Sequence, residues 1–269
     1  MTRYAVIGDP VSHSKSPLIH SLFAEQTGEQ VEYEKIGVTA SDLATFIRDF
    51  FAAGGGGLNV TLPHKESVFA LAEHASDRAR LARAANTLWI GENQSLQADN
   101  TDGAGLVRDL KHNLGVTMQD KSVLILGAGG SARGVLPSII EEKPATVTIL
   151  NRTLNRAKQI QQDFSSLYPL NIGPLEISPA IGFDIVINAT SSSIADKLPP
   201  LQPGIISAGC SCYDLMYSDQ PTPFMQWAVN HGAELVVDGL GMLVEQAAES
   251  FLIWRGVRPD TQRVIAALR

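Results

Sequence analysis

A short apolar run, Ser122-Val123-Leu124-Ile125-Leu126, leads directly into Gly127-Ala128-Gly129-Gly130-Ser131-Ala132-Arg133-Gly134. A five-residue run of this kind suits a strand buried on both faces of a parallel sheet. The glycine segment matches G-x-G-x-x-[G/A], with Ala132 in the last position. Gly127 would permit the tight turn, and Gly129 would let backbone N–H groups approach a pyrophosphate. A small Ala132 would allow close helix–strand packing. The helix that follows would present unpaired donors and a partial positive charge to phosphate. Further apolar runs at Thr146–Leu150 and 184–188, with a helix between the first two strands and another over 154–167, complete a βαβαβ rhythm. The spacing predicts a Rossmann-like dinucleotide-binding domain, with Gly127, Ala128, Gly129, Gly130 and Ser131 at the phosphates.

The turn after the second of these strands selects between cofactors. An acidic residue there would bond a ribose 2′-hydroxyl. This chain has Asn151-Arg152-Thr153-Leu154-Asn155-Arg156 instead. Arginines suit a 2′-phosphate, which they can grip through two parallel N–H···O bonds, so NADP is the expected cofactor. Thr190 ends the third strand, where the rest of the cofactor would pass. Two more strands are expected at 212–216 and 234–238, then helices over 242–267. Met242, Leu243, Ala247, Phe251, Leu252 and Trp254 make an apolar stripe at helical spacing, which reads as core packing.

The first third alternates too, with strands over 4–7, 32–38 and 58–61, weaker runs at 87–90 and 95–98, and helices over 17–27, 40–53 and 65–72. Alternation of this kind argues for α/β layers. Four polar clusters sit beside these elements: Ser12-His13-Ser14-Lys15-Ser16-Pro17, Asn59-Val60-Thr61-Leu62-Pro63-His64-Lys65-Glu66, Ala85-Asn86-Thr87-Leu88 and Asp99-Asn100-Thr101-Asp102-Gly103. Strand ends and helix starts are where α/β sheets collect ligand-binding groups. Taken singly, each has an ordinary structural reading: Lys65 a solvated charge at a helix start, Asp102 a turn or helix cap, Ser14 and Ser16 caps ahead of Pro17.

Composition narrows the classes. A chain of 269 residues with 44% hydrophobic content can bury a substantial core, or two. Its formal charge of −7 argues against nucleic-acid partners. No run is long and apolar enough for a membrane span and no signal-peptide pattern opens the chain, so a cytoplasmic location is expected. Cys210 and Cys212, one residue apart, read as two buried free thiols, because a disulfide across one residue would be strained. Neither they nor the six histidines show metal-ligand spacing, so no metal is expected.

In their order, the motifs HSKSP, NVTLPHK, ANT, DNTDG, GAGGSARG, NRT, NAT, YDLMY and GLGMLVEQA span essentially the whole chain, which resembles the shikimate dehydrogenase family. The resemblance implies reversible NADPH-dependent reduction of 3-dehydroshikimate to shikimate in aromatic biosynthesis. It implies Lys65 and Asp102 as the catalytic pair, and Ser14 and Ser16 on the substrate carboxylate. Asn59, Thr61, Asn86 and Asp102 would line the polyol face, with Gln246 approaching from the C-terminal helix and Tyr217 as a carboxylate or ring contact. Asn151, Arg152, Thr153 and Arg156 would hold NADP with the glycine loop, with Met216 and Gly239 near the nicotinamide and Asp77 as a further cofactor contact. Three departures stand out: His64 where Phe is common, Ala85 with Arg83 in place of a G-A-V run, and Ser192-Ser193-Ile194 where a glycine is usual. Residues 1–103, rejoined by 239–269, would bind substrate, and 104–238 would bind NADP, with the site in a cleft. The alternatives are a quinate-preferring enzyme of the same family and a non-catalytic NADP sensor; monomer and homodimer both stay open.

Overall fold

A computed structural model describes residues 1–177, 182–192 and 197–269. The chain divides into two compact units, Met1–Gly105 with Leu243–Arg269, and Leu106–Met242.

The first unit is built on a six-stranded mixed sheet. Its elements are β1 (Thr2–Gly8), α1 (Ser16–Thr27), β2 (Val31–Gly37), α2 (Leu43–Ala52), β3 (Gly57–Val60), α3 (Lys65–Leu71), β4 (His74–Ala75), α4 (Asp77–Ala82), β5 (Thr87–Ile90) and β6 (Leu96–Asp99). The strand order is β2-β1-β3-β5-β6-β4. Strands β1, β2 and β3 run parallel, whereas β5 is antiparallel to both β3 and β6. Helix α1 carries Pro17 in its first turn, where a missing N–H costs nothing. Helix α4 is capped by the Ser76 hydroxyl, which accepts from the Ala79 N–H. One face of the sheet packs Ala5, Ile7, Leu58, Val60 and Leu88 against Leu43, Ile47 and Phe50 of α2 and Val68 of α3. A second core joins Ile19 and Phe23 of α1 to α9 (Leu240–Arg255) and α10 (Thr261–Leu268), through Val244, Ala247, Phe251 and Val264. The expected apolar stripe is therefore core, with Ala247 and Phe251 at its centre.

The second unit is a wholly parallel sheet. After α5 (Asp102–Arg108) and a π-helical turn at Asp109–Asn113 come β7 (Ser122–Leu126), α6 (Gly130–Glu141), β8 (Thr146–Leu150), α7 (Leu154–Phe164), β9 (Leu170–Gly173), β10 (Phe183–Asn188), β11 (Ile206–Asp214), α8 (Pro223–Asn230) and β12 (Leu235–Val237). The order is β12-β11-β10-β7-β8-β9, so the winding reverses between β7 and β10. This is the doubly wound arrangement, in which ligands bind at the carboxyl ends of the strands beside the reversal. Cys210 and Cys212 are buried free thiols in this core, their sulfurs 3.9 Å apart.

Several boundaries differ from the sequence reading. The strand expected at 212–216 runs instead over Ile206–Asp214, because its pairing with β10 ends at Asn188↔Asp214. Strands β4 and β9, helices α4 and α8, and the helix through residues 102–113 carry too little periodicity to be read in advance. Among the described residues no helix is long and apolar enough to cross a membrane.

His20 of α1 is wholly buried, its ring stacked on Tyr33 with centroids 4.1 Å apart. Neither ring nitrogen makes a hydrogen bond of acceptable geometry among the described residues, although Asn59 lies close enough to oppose part of the burial effect. Burial therefore pushes its pKa down to about 3. Between about pH 6.5, where an unfolded histidine titrates, and about pH 3 the unfolded chain binds the extra proton. Stability from this group is thus whole above that window and falls, by about 1.4 kcal/mol per pH unit, as the pH drops through it. His20→Phe keeps the stacked ring and removes the titration, so its urea midpoint should fall less steeply between pH 6.5 and 4 than that of the parent.

Candidate active site

The sequence clusters of the first unit converge at the carboxyl ends of β1 and β3 and the neighbouring loops. Lys65 opens α3 and Asp102 opens α5. The Lys65 Nζ lies 2.5 Å from Asp102 Oδ2, with both side chains largely buried. Asn86 Nδ2 donates to the other oxygen, Asp102 Oδ1, at 2.9 Å, and lies 2.9 Å from Thr101 Oγ1 and 3.0 Å from Gln246 Oε1 of α9. The Asn86 Oδ1 accepts from the Thr101 N–H at 2.9 Å. Asp102 is thus oriented from both sides, by a cation and an amide, while Lys65 Nζ keeps donors to spare.

Asn59 continues the network. Its Nδ2 donates to the Asn86 carbonyl at 3.1 Å and to Ser250 Oγ at 3.0 Å, and its Oδ1 accepts from the Tyr33 hydroxyl at 2.7 Å. In the loop ahead of α1, Ser14 Oγ donates to Ser16 Oγ at 3.1 Å. Burial pushes the Tyr33 phenol well above its ordinary range, so it acts as a neutral hydroxyl. Thr61 follows β3, its N–H bonded to the Ile7 carbonyl at 2.9 Å. An unbroken chain of hydrogen bonds therefore runs from Asn59 through Asn86 and Asp102 to Lys65. Tyr33, Thr87, Thr101 and Ser250 belong to it as well. Among these, Thr87 and Thr101 lay inside recognisable polar clusters, whereas Tyr33 and Ser250 had no local signal.

Under the Asp102 turn lies an ion network. Arg78 pairs with Asp99 at 2.6 Å and with Glu249 at 3.4 Å, and Arg258 with Glu249 at 2.6 Å. Burial alone would raise the Asp99 carboxyl. The Arg78 guanidinium, helped by Ser76 and the Asn100 N–H, more than offsets that and holds it below the usual range. Asp99 is the residue from which the Asn100–Asp102 turn springs, so the pair anchors the catalytic candidate. Asp77 is exposed and ion-paired with Arg80. His64 is buried with a ring nitrogen 2.6 Å from the Val38 carbonyl, and His13 is exposed.

In the second unit Gly127 sits at φ +103°, and a β-carbon there would meet the Ala189 carbonyl oxygen at 3.0 Å. Gly129 and Gly130 face open space, at the N-terminus of α6. The Ala128 N–H donates to Asn151 Oδ1 at 3.1 Å, tying the glycine loop to the end of β8, while Ser131 lies in the first turn of α6. Beyond β8, Arg152, Thr153 and Arg156 are exposed, and among the described residues neither arginine has a side-chain partner. An open helix N-terminus beside two uncommitted guanidiniums, with no carboxylate at the end of β8, fits a pyrophosphate and a 2′-phosphate. At the end of β10, buried Asn188 accepts from the Thr190 hydroxyl at 2.7 Å and bonds Asp214, which in turn accepts from the Met216 N–H at 3.1 Å. The Gly239 N–H donates to the Met216 carbonyl at 3.0 Å, and a β-carbon on Gly239 would collide with the Leu215 carbonyl oxygen. Thr190, Met216 and Gly239 are thereby held on adjoining loops. Tyr217 lies in this unit, whereas the other substrate candidates lie in the first. Of the departure at residues 192–194, Ser193 and Ile194 lie outside the described residues.

A doubly wound sheet with an open glycine loop, joined in one chain to a unit carrying a lysine–carboxylate pair, defines a nucleotide-dependent α/β protein of two units. Family models match residues 6–88 (shikimate dehydrogenase substrate binding domain), 109–195 (shikimate/quinate 5-dehydrogenase) and 239–269 (shikimate 5′-dehydrogenase C-terminal domain). A shikimate dehydrogenase (NADP(+)) of Alkalilimnicola ehrlichii is 51% identical over 99% of this chain and 98% of its own length. The Ael1 enzyme of Pseudomonas putida is 44% identical, with a TM-score of 0.93 over 100% of this chain and 98% of that one. Shikimate 5-dehydrogenase of Thermus thermophilus, solved with NADP(H) and shikimate, is 32% identical with a TM-score of 0.89, over 99% of this chain and 98% of its own. The chain belongs to the shikimate dehydrogenase family.

The backbone collision at Gly239 is a direct test of the loop arrangement. Gly239→Ala should destabilise the fold by about 1–3 kcal/mol, as overpacking against a backbone carbonyl does. A urea titration reads this as a lowered midpoint with unchanged slope.

Proposed function

We propose that this chain catalyses the reversible reduction of 3-dehydroshikimate to shikimate with NADPH. The observation that carries the reading is the 2.5 Å pair of Lys65 and Asp102, set among amides and hydroxyls that suit a polyhydroxy acid. Family membership over the full chain supports the same reaction. NADPH, when bound, supplies the hydride. The residues that would hold it are Gly127 to Ser131 at the pyrophosphate, and Asn151, Arg152, Thr153 and Arg156 at the adenosine end. Thr190, Met216 and Gly239 would serve the nicotinamide end, with Asp77 as a further contact.

The chain's own part is to bind, orient and move one proton. Ser14 and Ser16 donate to the substrate carboxylate. Asn86, Thr61, Gln246 and Tyr217 hold the ring and its hydroxyls. In reduction, Lys65 gives its proton to the carbonyl oxygen as the carbon is reduced, and in oxidation its neutral amine takes the proton from the alcohol. Its positive charge also stabilises the oxygen while negative charge builds there. Asp102 aims the ammonium and accepts a hydrogen bond from a ring hydroxyl. A biosynthetic role of this kind suits a cytoplasmic location.

The assay mixes protein, shikimate and NADP and follows reduced cofactor by absorbance. Lys65→Ala should lower kcat by about 10³-fold while shikimate Kd moves less than about tenfold; equal loss of both would make Lys65 a binding residue. Quinate oxidation with NAD at matching efficiency would replace the shikimate assignment with a broader one. The double variant Arg152→Ala/Arg156→Ala should raise the KM for NADP by about 10–100-fold, and that for NAD far less, since NAD has no 2′-phosphate to lose.

A further inference from the structure

We propose that the buried ion pair of Arg133 and Asp163 positions Arg156 for a 2′-phosphate, and so sets the preference for NADP over NAD; this rests on the NADPH reading above. Arg133 belongs to α6 and Asp163 to α7. Arg133 Nη2 donates to Asp163 Oδ2, and the two side chains are only 12% and 9% exposed. Gln159 Nε2 donates to the other carboxylate oxygen at 3.0 Å, so the carboxylate is oriented from two sides. Arg133 Nη1 is buried without a partner among the described residues, which makes Asp163 the group that compensates this cation.

The pair lies apart from the phosphate-binding groups. The Arg133 N–H is already bonded to the Gly129 carbonyl at 3.0 Å, one turn inside α6, and the free donors lie ahead of it. Asp163 lies near the far end of α7 from Arg156. What the pair controls is the helix between them. Helix α7 packs on β8 and β9 and buries Ala157, Ile160 and Phe164. That apolar stripe is narrow, and apolar contact has no direction, so it resists lifting better than rolling. Asp163 follows Arg156 by seven residues, which is about 20° short of two full turns. Both therefore project from one flank of α7, and the bond to Arg133 shows that this flank faces α6.

Two ties hold the flank. At the start of α7, Asn151 Oδ1 accepts from the Ala128 N–H of the glycine loop at 3.1 Å, and Asn151 Nδ2 donates to the Thr153 carbonyl at 2.8 Å. Near the end of α7 the ion pair makes the second tie, and Arg156 lies between the two. A roll of about 10° would carry a guanidinium tip on the order of 1 Å, beyond the roughly 0.5 Å spread of hydrogen-bond lengths. The pyrophosphate donors belong to α6, which buries Val135, Leu136 and Ile139 on its own account and stays in place. The loss therefore falls on the 2′-phosphate, the group that NAD lacks. Arg133 and Asp163 act through α7 and are positioning residues.

The test is Asp163→Asn, which keeps the side chain's size and removes its charge. The KM for NADP should rise about tenfold, with the KM for NAD within about twofold and kcat at saturating NADP within about threefold of the parent. In an Arg156→Ala background, Asp163→Asn should change the KM for NADP by less than about twofold. A role confined to stability would lower activity with both cofactors alike and in both backgrounds. Arg133→Lys keeps the cation but replaces the planar fork by a point charge, so it should shift the NADP-to-NAD ratio the same way, by about threefold. It carries the test where Asp163→Asn does not fold. An unchanged ratio in Asp163→Asn, or in Arg133→Lys where that variant stands in, would overturn the proposal. A tenfold loss that persists without Arg156 would do the same. So would a lowered KM for NADP in Asp163→Asn, which would put the released Arg133 on a phosphate itself. A parent protein that uses NADP and NAD equally well would instead overturn the reading beneath it.

Discussion

Asn86 is the group around which the first unit closes. Its N–H donates to the Asp99 carbonyl, and its own carbonyl accepts from the Val60 N–H and from Asn59. Its amide reaches Thr101, Asp102 and Gln246. Four stretches of chain, its own included, thereby meet at one buried residue. A buried amide left without partners would cost about 1–3 kcal/mol per orphaned group, so these stretches must arrive together or not at all. The same requirement that completes the fold also delivers Asp102 to Lys65.

The second unit uses the same device with a different outcome. Asn188 and Asp214 are fully buried at the ends of adjacent strands, and they are satisfied by each other, by Thr222 and by the loops carrying Thr190 and Met216. Their polar capacity is spent on shaping loops. The groups left unspent among the described residues are the N–H groups opening α6 and the two arginines beyond β8. Asp109 is another anchored carboxylate, accepting from the Tyr213 hydroxyl at 2.6 Å, while that hydroxyl accepts from the Met242 N–H. Buried polar groups thus do the positioning in both units.

What was legible in the sequence was local. The strand at 122–126 and its glycine turn carry their own explanation, since the turn needs a left-handed residue at Gly127 and the apolar run needs burial. The swap of an acid for Asn151 and Arg152 is likewise read one residue at a time. The polar clusters around Ser14, Asn59, Asn86 and Asp102 showed as motifs, and the structure joins the last three into one network. Strand β4 has only two residues, too few for any periodicity to register. The strand expected at 212–216 was displaced because its end is set by its partner β10, which the local pattern does not contain.

The chain's sequence alone determined most strands of both units, the glycine turn after β7 and the want of an acid beyond β8, because each is a matter of local spacing and side-chain chemistry, while Lys65 and Asp102 were singled out by the order of motifs. Only the tertiary structure decided that Tyr33 and Ser250 join the network around Asn59, which they meet from 26 and 191 residues away. It also decided that Asn59 is mostly committed to the protein, and that His20 is a neutral ring in an apolar cage. These are properties of which groups are left beside one another once water has been excluded, and no stretch of sequence contains its own neighbours.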